Sequence, residues 1–175
     1  NDIILALKKY FGNDSVHRKN KSIKVDGNTG RKDIDVVPAF YNLSIKEGIY
    51  FYTDEGQKIV NYPLQHISNA TEKNKKTSFN YKRYVRILKN IRKDLNFDKI
   101  GSFQLESLLW NLPDSLFRNN TYCLEIGVQN IINYLYDNRY QFRIFKESNG
   151  IRQLAVTDDV FNSLITFVTI LYTTV

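Results

Sequence analysis

Apolar and polar positions change period part-way along this chain, and the change divides it. Ile3, Ile4, Leu7, Tyr10 and Phe11 recur at helical spacing after Asn1-Asp2, and Gly12 stands just past them, which predicts a short amphipathic helix. Residues 22–25, SIKV, alternate as a strand does. So do the first positions of 31–42, RKDIDVVPAFYN, where Asp33 and Asp35 would share one face and Ile34 and Val36 the other. Val36, Val37, Pro38, Ala39 and Phe40 then read as a strand buried on both faces that stops at the proline. The two strands are expected to pair antiparallel around a turn at 27–30, GNTG. Residues 48–53 and 57–62 read as two further strands joined by a hairpin at Asp54-Glu55-Gly56.

Beyond residue 62 the period becomes helical. Tyr81, Tyr84, Val85, Leu88, Ile91 and Leu95 form one apolar stripe over 80–96, with Lys82, Arg83, Arg86, Lys89, Arg92 and Lys93 on the other faces. A second helix is predicted over 102–112, stopping at Pro113, and a third over 122–138. Residues 143–145 suggest a short extended piece. Thr157, followed by Asp158 and Asp159, predicts the N-cap and first turn of a last, buried helix. The expected fold class is α+β: a small sheet fragment over 1–62, then a helical lobe over 63–175.

Composition narrows the class of partner. With 175 residues, 42% of them hydrophobic, the chain is long enough for a packed core. A net charge of +7 favours polyanions such as nucleotides, nucleic acid or an acidic membrane surface. The single cysteine, Cys123, excludes an internal disulfide, fits a reducing cytoplasm, and reads as a small buried hydrophobe. Lys8 and Lys9 interrupt the N-terminal helix where a secretion signal would be apolar. The uncharged run 160–175 is shorter than the roughly 20 residues of a membrane span, so no membrane partner is expected.

Taken by themselves, the candidate chemical groups are ambiguous. Asp33 and Asp35 fit an edge strand with two solvated acids as well as a functional pair. The glycines of 27–30 lack the Lys-Ser or Lys-Thr and the following helix of a phosphate-cradling loop, so they read as a turn. The cations of 80–96 describe a solvated face equally well. Ser102 would cap a helix, Phe103 would pack, and Trp110 reads as core. His66 has no second metal-type ligand near it in sequence and reads as structural.

Several of these phrases, in this order, resemble one family. DVVPAF at 35–40, NYPLQHI at 61–67, YKRYVRILKNIR at 81–92 and GSFQLESLLWN at 101–111 are similar to stretches of the bacterial cyclic-oligonucleotide synthases, the CD-NTases. These are relatives of the animal DNA sensor cyclic GMP-AMP synthase and of oligoadenylate synthase. The resemblance implies a partial polymerase-β-like nucleotidyltransferase sheet followed by a C-terminal helical lobe. It implies Asp35 as the third metal-binding aspartate, with Asp33 a neighbour, and Mg2+ or Mn2+ as cofactor. It implies Lys89 on the nucleotide phosphates, assisted by Arg86, Ser102 on the triphosphate at a helix N-terminus, and Phe103 stacked on the base. Asn61 would stand near the base edge. The helix of 80–96 resembles the one that crosses from the catalytic into the helical lobe in the family, and the polar run 72–77 resembles its approach, either touching phosphate or a solvated loop.

The family's Gly-Ser motif and paired acids have no match in this chain, and Gly30 stands too close to Asp33 for those acids to be the pair. The expectation is therefore a fragment carrying one of the metal carboxylates, binding nucleotide weakly and turning over nothing alone. The intact parent would make cyclic di- or trinucleotides for antiphage signalling from ATP, GTP or pyrimidine nucleoside triphosphates. Oligomeric state, base choice and linkage stay open. Two alternatives remain: a linear nucleotidyltransferase of the polyadenylating or tRNA-end type, and a non-catalytic nucleic-acid-binding module.

Overall fold

A computed structural model of the chain describes residues 2–42, 48–118 and 123–174. Asn1, Tyr122 and Val175, which the sequence assigns to the first, third and last helices, lie outside the described residues. The chain divides into two compact units, Asn1–Pro63 and Leu64–Val175.

The first unit opens with α1 (Asp2–Phe11). Gly12 ends it with φ +93°, and its N–H donates to the Lys8 carbonyl at 2.9 Å, a positive-φ stop that glycine adopts at no steric cost. Ile4, Leu7 and Phe11 pack on Val16, Ile23 and Val25. Ile3 and Tyr10, expected in the same stripe, are exposed instead. Strands β1 (Val16–Arg18), β2 (Ile23–Val25) and β3 (Ile34–Val36) form an antiparallel sheet in that order, with Lys24 opposite Asp35. The turn between β2 and β3 is closed by reciprocal backbone hydrogen bonds of Asn28 and Arg31.

The doubly buried strand expected over 36–40 does not exist. β3 ends at Val36, and Phe40 opens another strand in another sheet. Pro38 has no N–H to continue a ladder. Val37 and Phe40 are 42% and 62% exposed, so apolar composition there does not mean burial. That second sheet is the antiparallel β4 (Phe40–Asn42), β5 (Gly48–Tyr52) and β6 (Lys58–Asn61). Its β5–β6 hairpin turns at Gly56, φ +80°, as expected.

The second unit is helical. It contains most of α2 (Pro63–Lys76), then α3 (Asn80–Asp94), α4 (Ser102–Trp110), α5 (Asp114–Arg118), α6 (Leu124–Asp137) and α7 (Asp158–Thr174). The predicted stripe of α3 is its buried face: Tyr81, Tyr84, Val85 and Leu88 meet Leu105, Leu108 and Leu109 of α4 and Phe117 of α5 in one core. Leu164, Phe167, Val168 and Leu171 bring α7 into it. Two polar joints fix the packing. Asn80 Nδ2 donates to the Phe117 carbonyl at 3.0 Å, and Tyr81 Oη to the Glu106 carbonyl at 2.9 Å. Burial, with the Glu106 charge adding to it, holds the Tyr81 phenol above its ordinary pKa, so it remains a donor.

Three local expectations are corrected here. Residues 72–77 are not an irregular approach: 72–76 complete α2, and Thr77 Oγ1 accepts the Tyr81 N–H at 3.2 Å in the first turn of α3. Residues 143–145 are not extended, because Arg139–Arg143 is a 3₁₀ turn and Ile144 ends it in a helical conformation. Cys123 is half-buried at the start of α6 rather than fully enclosed. Thr157 does cap α7, accepting the Val160 N–H at 3.3 Å. Among the described residues no helix is long and apolar enough to cross a membrane.

Candidate functional site

In the first unit, Asp35 stands in the middle of β3 with its side chain 60% exposed. Ser22 Oγ donates to its Oδ1 at 3.3 Å, and Lys19 Nζ lies 3.7 Å from the same oxygen. These are exposed, loosely held contacts of little strength. Asp33 is engaged differently. Its Oδ1 accepts the Gly27 N–H at 2.7 Å and its Oδ2 meets Lys24 Nζ at 2.9 Å. The Lys24 hydrogen bond, then that of Gly27, holds the Asp33 carboxyl below its ordinary range. Asp33 is thus tied into the turn, whereas Asp35 keeps most of its carboxylate in solvent.

Whether this unit could hold a metal is a question of donors. Among the described residues no group of three or more His, Cys, Asp and Glu side chains could hold a metal ion. Asp35 offers one carboxylate beside a lysine and a serine. These residues do not build a two-ion site, whose ions about 3.5–4 Å apart need several carboxylates.

The second unit brings other sequence-predicted residues together. Lys89, on α3, points its Nζ at Glu106 Oε2 of α4, 3.2 Å away. The pair is largely shielded, 28% and 18% exposed, so its attraction is less screened than that of a surface pair. Glu106 Oε1 lies 3.9 Å from His66 Nε2 of α2, an electrostatic contact beyond hydrogen-bond reach. The His66 ring in turn lies 4.9 Å from the Phe103 ring, tilted by 49°. Phe103 is in the first turn of α4 and Ser102 is its first residue, exposed, one helical turn before Glu106. Gln104 Oε1 closes that end by accepting the Gly101 N–H at 2.6 Å.

His66 is oriented from behind. Its Nδ1 is bonded to Ser148 Oγ, in the loop before α7. Ser148 is fully buried; its N–H donates to Ser107 Oγ at 3.1 Å and its carbonyl accepts from Asn69 Nδ2 at 2.9 Å. The Ser107 hydroxyl points to Ser148 Oγ at 3.3 Å. Ser148 Oγ thus stands between the Ser107 hydroxyl and the imidazole, and it holds the ring by Nδ1. The other ring nitrogen, Nε2, is thereby turned toward Glu106.

The remaining predicted residues are not in this cluster. Arg86 is exposed one turn before Lys89 on α3, with no polar side-chain partner among the described residues. Asn61 ends β6 in the first unit, where its Oδ1 accepts the Tyr62 N–H at 2.9 Å. Sequence reasoning missed Glu106 as a partner of Lys89, although 103, 106 and 107 share a face of α4 by their spacing. It took His66 as structural without finding its neighbours Glu106, Phe103 and Ser148. Nothing local announced Ser148.

The class of the helical unit is given by its match to a family, the C-terminal helical lobe of certain nucleotidyltransferases. Residues 68–169 match the cGAS/DncV-like nucleotidyltransferase C-terminal helical domain, and the chain belongs to that family. It is 38% identical over 174 residues to the cyclic GMP-AMP synthase CdnE03 of Staphylococcus schleiferi, covering 90% of this chain and 53% of that protein. It is 36% identical over 165 residues to the cyclic dipyrimidine nucleotide synthase CdnE of Cecembia lonarensis, covering 87% of this chain and 56% of that one. The solved Elizabethkingia meningoseptica CdnE cyclic dinucleotide synthase with GTP and Apcpp is similar at TM-score 0.85 and 33% identity. That match covers 98% of this chain and 68% of the other. The chain spans about half the length of the curated relatives it matches.

Proposed function

We propose that this chain is the nucleotide-holding part of a nucleotidyltransferase that joins nucleoside triphosphates into a cyclic di- or trinucleotide signal in the cytoplasm. One observation carries the reading: Lys89 and Phe103 converge, through Glu106 and His66, on the first turns of the helix that Ser102 begins. The N-terminus of that helix offers backbone N–H groups and a positive dipole end to an anion. An ammonium one turn away neutralises a triphosphate as a flexible point charge, with exposed Arg86 adding positive potential. An aromatic in the same first turn gives a base a surface to stack on, whatever its hydrogen-bonding edge. Asn61 carries an amide with a donor and an acceptor side, suited to reading a base edge. The Elizabethkingia meningoseptica CdnE solved with GTP and Apcpp, and the Rhodothermus marinus CdnE c-UMP-AMP synthase solved with Apcpp and Upnpp (TM-score 0.77, 28% identity, 98% of this chain and 64% of that one), support triphosphates, purine or pyrimidine, as the substrate class.

Asp35 is the one metal carboxylate we assign, to Mg2+ or Mn2+, and further acids are required beside it. The exposure of the Asp35 side chain and its weak hold by Lys19 suit the carboxylate to that task. Antiphage signalling is the role that the product class suggests.

The test is mass spectrometry of products formed from mixed ribonucleoside triphosphates with magnesium or manganese by the protein expressed from its complete reading frame. Phosphatase-resistant cyclic products that disappear in Asp35→Ala are expected. Linear products would overturn cyclisation, and absence of any product would overturn the enzymatic reading.

A further inference from the structure

The shielded carboxylate on Lys89 calls for an explanation. A cation whose task is to meet phosphate gains nothing in attraction from a fixed anion 3.2 Å away, which offsets its charge. What Glu106 does supply is position. A lysine stem has about 2 kcal/mol of rotamer entropy to lose, and a cation reaching for phosphate from solvent loses it on binding. Here that ordering is already done: Nζ is held on the flank of α4, one turn from Ser102.

We infer that Glu106 is a positioning residue for Lys89, with the His66 ring facing its other carboxylate oxygen. The inference rests on the phosphate role proposed for Lys89. Three features support it. Glu106 is 18% exposed, so its carboxylate is not a solvated surface acid that happens to lie near a lysine. Its two oxygens are divided, Oε2 to Lys89 and Oε1 facing His66. The backbone beneath it is fixed, because Tyr81 Oη donates to the Glu106 carbonyl. An ammonium has three hydrogens, so Lys89 can keep one on Glu106 and turn the others to phosphate oxygens. The charge that dulls ground-state attraction thereby aims the cation.

The consequence is a split between binding and turnover. Glu106→Gln removes the counter-charge and keeps the shape. Lys89 then attracts the triphosphate at least as strongly, while the reacting phosphate is less accurately placed. Expected, in the complete protein, are a kcat about tenfold or more lower and a KM for triphosphate that does not rise. Lys89→Gln lowers kcat/KM, and the Lys89→Gln, Glu106→Gln double variant is no worse than Lys89→Gln alone, because Glu106 acts only through Lys89.

A raised KM with unchanged kcat, or effects of the single variants that multiply, overturns the inference, since a residue needed only for packing gives either. Thermal unfolding of each variant separates loss of fold from loss of function. Should Glu106→Gln fold poorly, Glu106→Asp, which keeps the charge but draws it back by one methylene, reads the same role: it must lower kcat without raising KM, and an unchanged kcat counts against the inference. If Lys89→Gln leaves kcat/KM untouched, the phosphate role of Lys89 falls and this inference with it. A Lys89 effect without coupling to Glu106 sinks the positioning role only.

Discussion

Ser148 holds His66 at Nδ1 across 82 positions of sequence, and does so from a site with no solvent exposure. Its hydroxyl is the middle of a chain from Ser107 to the imidazole. Ser148→Ala removes it and leaves the His66 ring nitrogen without that partner, while Ser107 Oγ keeps only the backbone N–H of residue 148. An unsatisfied buried polar group costs about 1–3 kcal/mol, so the variant unfolds at a lower temperature than wild type. An unchanged Tm would show that the chain of hydroxyls carries no weight.

The β2–β3 turn makes a paired prediction about glycine. A Cβ on Gly27 would lie 2.5 Å from the Arg31 carbonyl oxygen and 2.9 Å from the Asp33 nitrogen, both backbone atoms that cannot swing aside. A Cβ on Gly30 would find nothing nearer than Asn28 Oδ1 at 3.8 Å. Gly27→Ala therefore destabilises the first unit by more than about 1 kcal/mol, while Gly30→Ala is close to neutral. Denaturant titration of the two variants side by side decides it. Equal effects would refute the tight approach of residues 31–33 to Gly27.

How legible this molecule was depends on where its information lies. α3 was readable because one face is core and the others are charged. α2 was not, because Ala70 is its one fully buried residue and a helix polar nearly all round has no stripe to read. Val37 and Phe40 misled for the opposite reason: apolar side chains were read as enclosed, yet what covers a strand is not written in the strand. In the site, Lys89, Ser102 and Phe103 came from resemblance to known phrases. Glu106 lay inside one of those phrases, but an acid on a helix looks solvated until the facing helix is known. Ser148 is joined to His66 by tertiary packing alone.

The acid limb of stability follows from Lys24. It lies 2.8 Å from Asp26 Oδ1 and 2.9 Å from Asp33 Oδ2. Hydrogen bonding to Lys24 is the leading cause that both carboxyls sit below their ordinary value of 3.8, with His17 assisting on Asp26 and Gly27 on Asp33. A depressed carboxyl pKa means the unfolded chain binds more protons, so this contribution is present above about pH 4 and is lost as pH falls through the folded values. Lys24→Met returns both acids toward their ordinary range and flattens that dependence. Denaturation midpoints measured from pH 5 down to about pH 2 would show the wild-type slope and its loss in the variant. The same slope in both would place the acid sensitivity elsewhere.

Phe103 carries the last prediction, and it bears on the nucleotide reading directly. The ring is 37% exposed although it leans on His66, so it is neither fully packed nor free. As a core residue its truncation would lower stability and leave ligand affinity alone. As a base platform it should do the reverse. Stacking is worth about 1–3 kcal/mol per base, or about 5- to 150-fold in affinity. Phe103→Ala should therefore weaken non-hydrolysable ATP and UTP analogues by a factor in that range, and by similar factors for both, because every base has a π-face. Phe103→Tyr keeps the ring and should stay near wild type. Calorimetric titration of the three proteins measures this. An alanine variant that binds as wild type does, or one that loses purine alone, would remove Phe103 from the base and leave it a packing residue for His66.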